Sequence, residues 1–207
     1  MSKGRQKRVN PNKVPVSKDE INEAELIAEA STGNMYFAWL QILPNLVEMP
    51  GMTRKKIVEL WHAGNDYAME PRPANMKAGE ERILAERLMG LRMPHPGIDL
   101  DRIRTRGDLL AVKRKLKEDA RYSALCIICL GLKKTGLLSD DEIRHLFFNA
   151  DITLAEIQSG SRSYEELAKD LQEKHIILID SNEDMMIVED DEQELKWKKC
   201  LLREGDA

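Results

Sequence analysis

The amino-acid sequence predicts a mainly α-helical protein, built as two helix-hairpin modules (small helical bundles) with a short C-terminal β-hairpin. Three observations predict it. Aliphatic residues recur at i, i+3, i+4 and i+7 through most of the chain, the spacing of one helix face. Hydroxyl residues followed three positions later by an acid stand ahead of such runs, at Ser17, Thr105, Ser139 and Ser163, where they cap free N–H groups of a first turn. After Lys174 the apolar period shortens to that of strands.

Taken in order, Ser17-Lys-Asp-Glu20 opens a helix that places Ile21, Ala24 and Ile27 or Ala28 on one face. In the run Met35 to Met49, the residues Met35, Trp39, Ile42 and Leu46 follow helical spacing, and Pro44 predicts a kink because its ring meets the carbonyl of Leu40. Pro50-Gly51 ends this element. Thr53 caps the next, which carries Ile57, Leu60 and Trp61. Pro71, Pro73 and Gly79 mark a connector. A short helix over about 80–92 follows, with Leu84, Leu88 and Leu91 aligned, and Met93-Pro-His-Pro-Gly97 stops it. From 108 to 130 there is neither Pro nor Gly, so the longest helix is predicted there, striped by Leu109, Val112, Leu116, Ser123, Ile127 and Leu130. Gly136 ends it. Ser139 caps a helix with Ile143, Leu146 and Phe147 on its face, and Ser163 caps one with Tyr164, Leu167, Ala168 and Leu171. Ile176 to Ile179 and Met185 to Val188 flank a Ser-Asn-Glu-Asp turn as a hairpin. The tail from Glu194 to Leu202 reads either as a helical turn or as a third strand.

The organisation that follows is a flexible basic arm over 1–16, a helical module over 17–70 and a Pro/Gly-rich connector over 71–104. A second module covers 105–174, and the hairpin with an acidic tail covers 175–207. A chain of 207 residues buries roughly 70% of its unfolded surface. Its 42% hydrophobic and 33% charged residues suit a globular protein, and aromatics at 5% predict an aliphatic core. The net charge of −4 is too small to identify either a nucleic-acid binder or a highly acidic mimic of one. The longest apolar run, Ala124 to Leu132, is about half of the ~20 residues that a membrane span needs. Three cysteines and an N-terminus without an apolar stretch behind its charges predict a reducing compartment, the cytoplasm.

The two halves share a plan. In each, a long apolar helix runs into a Gly stop, a hydroxyl cap and a second helix: Thr53 aligns with Ser139, Ile57 with Ile143, and Trp61 with Phe147. Either an internal repeat or two generic helix hairpins produces this pattern. Further signals are Arg8-Val-Asn-Pro-Asn-Lys-Val-Pro15 ahead of a Ser-capped helix, Tyr36-Phe-Ala-Trp-Leu40, Gly51-Met-Thr with Ile57-Val-Glu-Leu-Trp61, and Gly160, Ser163-Tyr-Glu-Glu-Leu167 and Leu171. At these residues the chain resembles a family of short helical proteins of unassigned role, encoded by phages and prophages of Gram-positive bacteria. Members resemble single copies of one helical unit, and this chain resembles about two, over about 8–70 and 105–180. The likeness thins after Ala68, where the connector replaces the last helix of the first copy. The resemblance implies a helical fold and a phage origin, and carries over no functional residue.

Candidate chemistry is sparse. Cys126-Ile-Ile-Cys129 has the spacing of a redox or metal pair, but it lies in an apolar helical run that predicts core packing. His62, His95, His145 and His175 occur singly. Gly131-Leu-Lys-Lys-Thr-Gly136 begins like a phosphate loop, yet Leu137-Leu138 stand where Lys-Ser/Thr is required, so a helix end is predicted. No metal site, no cofactor and no catalytic residue is assigned. Two charged surfaces remain. Asp180, Glu183, Asp184, Glu189, Asp190, Asp191 and Glu192 form an acidic patch for a partner protein. Arg5, Lys7 and Arg8 of the arm join Arg102, Arg104, Arg106, Lys113, Arg114, Lys115 and Lys117 as an alternative nucleic-acid surface. Over 102–121 eight bases face three acids, with no obvious aromatic nearby to stack on bases. The functional expectation is a non-enzymatic, phage- or prophage-encoded interaction protein with a bacterial or phage protein partner, an inhibitor of a bacterial defence system. The alternative is a nucleic-acid-binding regulator, and no membrane association is expected.

Overall fold

Helices α1 (Asn34–Glu48), α2 (Arg54–Met69), α3 (Glu80–Met89), α4 (Arg106–Thr135), α5 (Asp140–Ser159) and α6 (Tyr164–Glu173) precede strands β1 (Ile177–Ile179) and β2 (Met185–Ile187). They belong to a computed structural model that describes residues 11–16, 26, 33–70, 80–92, 102–179, 185–190 and 192. The protein is mainly helical with a small two-stranded antiparallel sheet, in which Ile177 pairs with Ile187 and Ile179 with Met185. The helix predicted from Ser17, the Pro-rich connector, the Met93 to Gly97 stop, the hairpin turn and the tail from Glu194 lie outside the described residues. Leu26 is helical and buried.

The starts of these helices follow the local chemistry. Ser139 and Ser163 each accept a bond from the backbone N–H three residues on, while Glu142 and Glu166 reach back to the cap N–H. At α4 the carboxylate of Asp108 accepts from the backbone N–H groups of Arg104 and Thr105 and from the Thr105 hydroxyl. Thr53 caps α2. One predicted stop moves. α3 ends at Met89 because Gly90 takes a left-handed φ of 69°, and Leu91 then donates back to the Glu86 carbonyl. Leu91 therefore leaves the helix, and the buried face is Ala85, Leu88 and Met89 instead of Leu84, Leu88 and Leu91; Leu84 is exposed. Pro44 lies inside α1, which remains one helix through it.

The chain divides into two compact units, one of Met1–Asn34 with Met93–Tyr122 and one of Met35–Arg92 with Ser123–Ala207. In the first, the end of the segment predicted as a flexible arm is ordered. Pro11–Lys13 form a 3-10 turn, Pro15 bridges Thr105, Val16 donates to the Arg104 carbonyl and Arg106 donates to that of Val14. The reason is steric as well as polar. A Cβ on Gly107 would lie 3.0 Å from the Asn12 carbonyl oxygen, so glycine lets the segment pass close to the first turn of α4.

In the second unit the core is aliphatic, as composition predicts. Leu40, Ile42, Leu43 and Leu46 of α1, Leu60 of α2, Leu125, Ile128 and Leu132 of α4, Ile143 and Leu146 of α5 and Leu167 of α6 are all fully enclosed. At about 25 cal/mol per Å² of apolar surface, each such leucine contributes on the order of 2 kcal/mol. Helices of the two sequence halves interlock here. A Cβ on Gly131 would lie 2.6 Å from the Ala63 carbonyl oxygen, so this glycine permits α4 to approach the backbone of α2. One on Gly64 would lie 2.5 Å from the Trp39 ring, so that glycine makes room on α2 for the indole of α1. Trp39 stacks at 4.7 Å on Trp61 and donates its indole N–H to Asn65. Buried Gln41 donates to the Tyr164 hydroxyl at 2.7 Å, tying α1 to α6. The stripe predicted along α4 is rotated in this stretch. Ser123 is exposed and Ile127 only half-buried, while Ala124, Leu125, Cys126, Ile128, Cys129 and Leu130 are buried.

Candidate functional site

In the second unit the last turn of α1 and the first half of α5 face each other across a cleft of about 440 Å³. Asn45, Glu48, Met49 and Pro50 line one side; Asp141, Glu142, His145 and Asn149 line the other. The local sequence explains the placement. Ser139 and the acids Asp140, Asp141 and Glu142 occupy the helix start, where free N–H groups and the positive end of the dipole favour negative charge. The Ser139 hydroxyl and backbone N–H bond the Glu142 carboxylate and hold its pKa below the usual carboxylate range. Because Ile143, Leu146, Phe147 and Ala150 take the inward face, residues 141, 145, 148, 149 and 152 point outward at 3.6 residues per turn. Phe148 is 46% exposed and Ile152 58%.

The charged groups of the cleft are held by neighbours. Glu48 pairs with Lys174, Asp141 pairs with Arg144, and Arg144 also donates through Nε to the Leu88 carbonyl of α3 at 2.8 Å. Asn149 donates to His145 Nε2 at 3.0 Å. These are solvent-facing carboxylates, which present negative charge and hydrogen-bond acceptors to whatever enters. The lining thus offers carboxylates whose charge Lys174 and Arg144 partly offset, together with the amides of Asn45 and Asn149, to a polar occupant.

Of the acidic patch, Glu189, Asp190 and Glu192 are exposed just beyond β2, and Glu189 reaches His62 of α2 at 3.0 Å. Asp180, Glu183, Asp184 and Asp191 lie outside the described residues, as do Arg5, Lys7 and Arg8 of the basic set. In the first unit Arg102, Arg104, Arg106, Arg114, Lys115 and Lys117 are exposed and Lys113 is half-buried. Cys126 and Cys129 are buried, and desolvation together with the adjacent thiol pushes the Cys129 pKa far up, which makes it inert as a nucleophile. Gly131 is packed inside α4 and Gly136 follows its end with φ of 67°, so the glycine pair is a helix feature and no phosphate cradle. His95 is outside the described residues. The α1–α5 cleft and the exposed Phe148 and Ile152 were not picked out by sequence; laying 140–159 on a helical wheel would have exposed the two side chains, though not the cleft.

Among the described residues, no helix is long and apolar enough to cross a membrane. Comparison with known proteins finds no matching family model, curated protein or solved structure.

Proposed function

We propose that this chain is a non-enzymatic interaction protein of phage or prophage origin, working in the bacterial cytoplasm. In this reading it inhibits a host defence system by covering a functional surface of a partner protein. The observation that carries it is the outer face of α5, where Phe148 and Ile152 stand exposed four residues apart beside a cleft lined by Glu48, Asp141 and Glu142. Two large apolar side chains next to carboxylates match a basic surface that also offers apolar anchors, the pairing that concentrates binding energy in a few residues. Occupation needs shape and charge, and no chemistry.

The phage origin rests on the resemblance at Arg8 to Pro15, Tyr36 to Leu40 and Ser163 to Leu167. We read the two halves as two copies of one helix-hairpin unit. Thr53 and Ser139 both cap a second helix, and Ile57 with Trp61 and Ile143 with Phe147 are buried at the aligned places.

The test compares the tagged chain with Phe148→Asp/Ile152→Asp in lysates and in cells that carry defence systems. The expected outcome is a partner recovered by the parent chain and lost by the variant, with phage plaquing restored only by the parent. Recovery of no partner above background, or equal recovery by both proteins, contradicts the proposal.

A further inference from the structure

The first unit presents a second surface, chemically unlike the cleft. We propose that the N-terminal half of α4 binds the phosphodiester backbone of a nucleic-acid duplex, an activity that goes beyond the reading above. At 100° per residue, Arg106, Leu110, Lys113, Arg114 and Lys117 fall on one side of α4, whereas Asp108, Lys115 and Asp119 fall on the other and Glu118 borders the stripe one turn beyond Arg114. What looks in sequence like a mixed charge run is thus a basic stripe with Asp108 and Asp119 turned away and Glu118 at its edge.

Three features make the stripe available. Arg106, Arg114 and Lys117 are exposed, and among the described residues no carboxylate pairs with any of them. In the second unit, by contrast, Lys133, Lys134, Arg144, Arg162 and Lys174 all reach a carboxylate. Arg106 also sits in the first turn of α4, where a cation opposes the helix dipole; helix stability does not call for it there. Finally, the rise of about 1.5 Å per residue spreads Arg106 to Lys117 over roughly 16 Å, the axial span of about five phosphates of one strand.

Backbone recognition of this kind ignores base identity. The apolar member of the stripe is Leu110, 58% exposed, and not an aromatic that would stack on unpaired bases, so a duplex is favoured over single strands.

The test is a titration of the full chain against labelled duplex DNA, duplex RNA and single-stranded DNA across a salt series. The expected result is duplex binding that weakens steeply with salt, the DNA and RNA arms telling which duplex is held more tightly. Arg106→Gln/Arg114→Gln/Lys117→Gln should flatten the slope of log affinity against log salt by about one per cation removed. Lys115→Gln, across the helix, should leave the slope unchanged. If the triple variant loses its helical circular dichroism, Arg106→Gln alone reads the same slope at an exposed first-turn position. Absence of duplex binding at low salt, preference for the single strand, or a Lys115→Gln effect per charge as large as that of the stripe overturns the proposal.

Discussion

One helix, α4, is two different objects along its length. From Arg106 to Tyr122 it lies in the first unit and is mostly exposed or half-buried, with Arg121 the buried exception. From Ser123 to Thr135 it lies in the second unit, and seven of its thirteen residues are large or small apolar side chains that are buried. Backbone continuity and burial are therefore separate properties. The absence of Pro and Gly between 108 and 130 permits the unbroken helix. The switch from Lys113-Arg-Lys-Leu-Lys117 to Ala124-Leu-Cys-Ile-Ile-Cys129 decides which part meets solvent and which part meets a neighbour.

That contrast breaks most readily at Gly131. In Gly131→Ala the new methyl meets the Ala63 carbonyl and the Gly64 Cα, both backbone atoms that cannot rotate away. The expected loss is about 3 kcal/mol or more, read by denaturant unfolding. Truncating one leucine in each half gives the next largest difference. Leu125→Ala, fully enclosed, should cost about 3 kcal/mol. Leu110→Ala, exposed, should stay within about 0.5 kcal/mol. Equal costs at the two sites would erase the distinction.

Smaller effects come from the helix start. Hydrogen bonds from Thr105 and Arg104 lower the Asp108 pKa. A carboxylate with a depressed folded pKa stabilises the protein above its unfolded pKa of about 4, and that contribution fades as pH falls through the folded value. Asp108→Asn should therefore melt below the parent at neutral pH, and the gap should close in a melting series taken to acid pH below the carboxylate range. The smallest expected change is a gain. Arg106→Gln relieves a cation at the positive end of α4 and should raise stability by about 0.3 kcal/mol while weakening any duplex binding, a split visible by measuring both.

Local signals were readable in sequence, and signals that depend on distant partners were not. Ser139 with Glu142, Ser163 with Glu166, and Thr105 with Asp108 form their caps because each pair needs only three residues of chain. The hairpin of β1 and β2 follows for the same reason. The face of α3 was misjudged because Leu84, Leu88 and Leu91 have helical spacing, while the left-handed turn at Gly90 removes Leu91 and gives the contact to Ala85 and Met89. Ser123 and Ile127 failed in the α4 stripe because the neighbours packed in the second unit, and not the period alone, select the buried arc. The cleft was invisible because Asn45 to Pro50 and Asp141 to Asn149 come from opposite halves of the chain. The acidic patch was legible only as charge, and Glu189 found His62 through tertiary structure.

Trp39 and Trp61 lie 4.7 Å apart, tilted by 38°, with Trp39 almost wholly sealed from water. Two indoles at that separation couple their electronic transitions, so the near-ultraviolet circular dichroism carries a signature that neither ring produces alone. The chain thus contains an intrinsic optical gauge of how α1 and α2 are seated, one that reports loosening of that seam without any added dye.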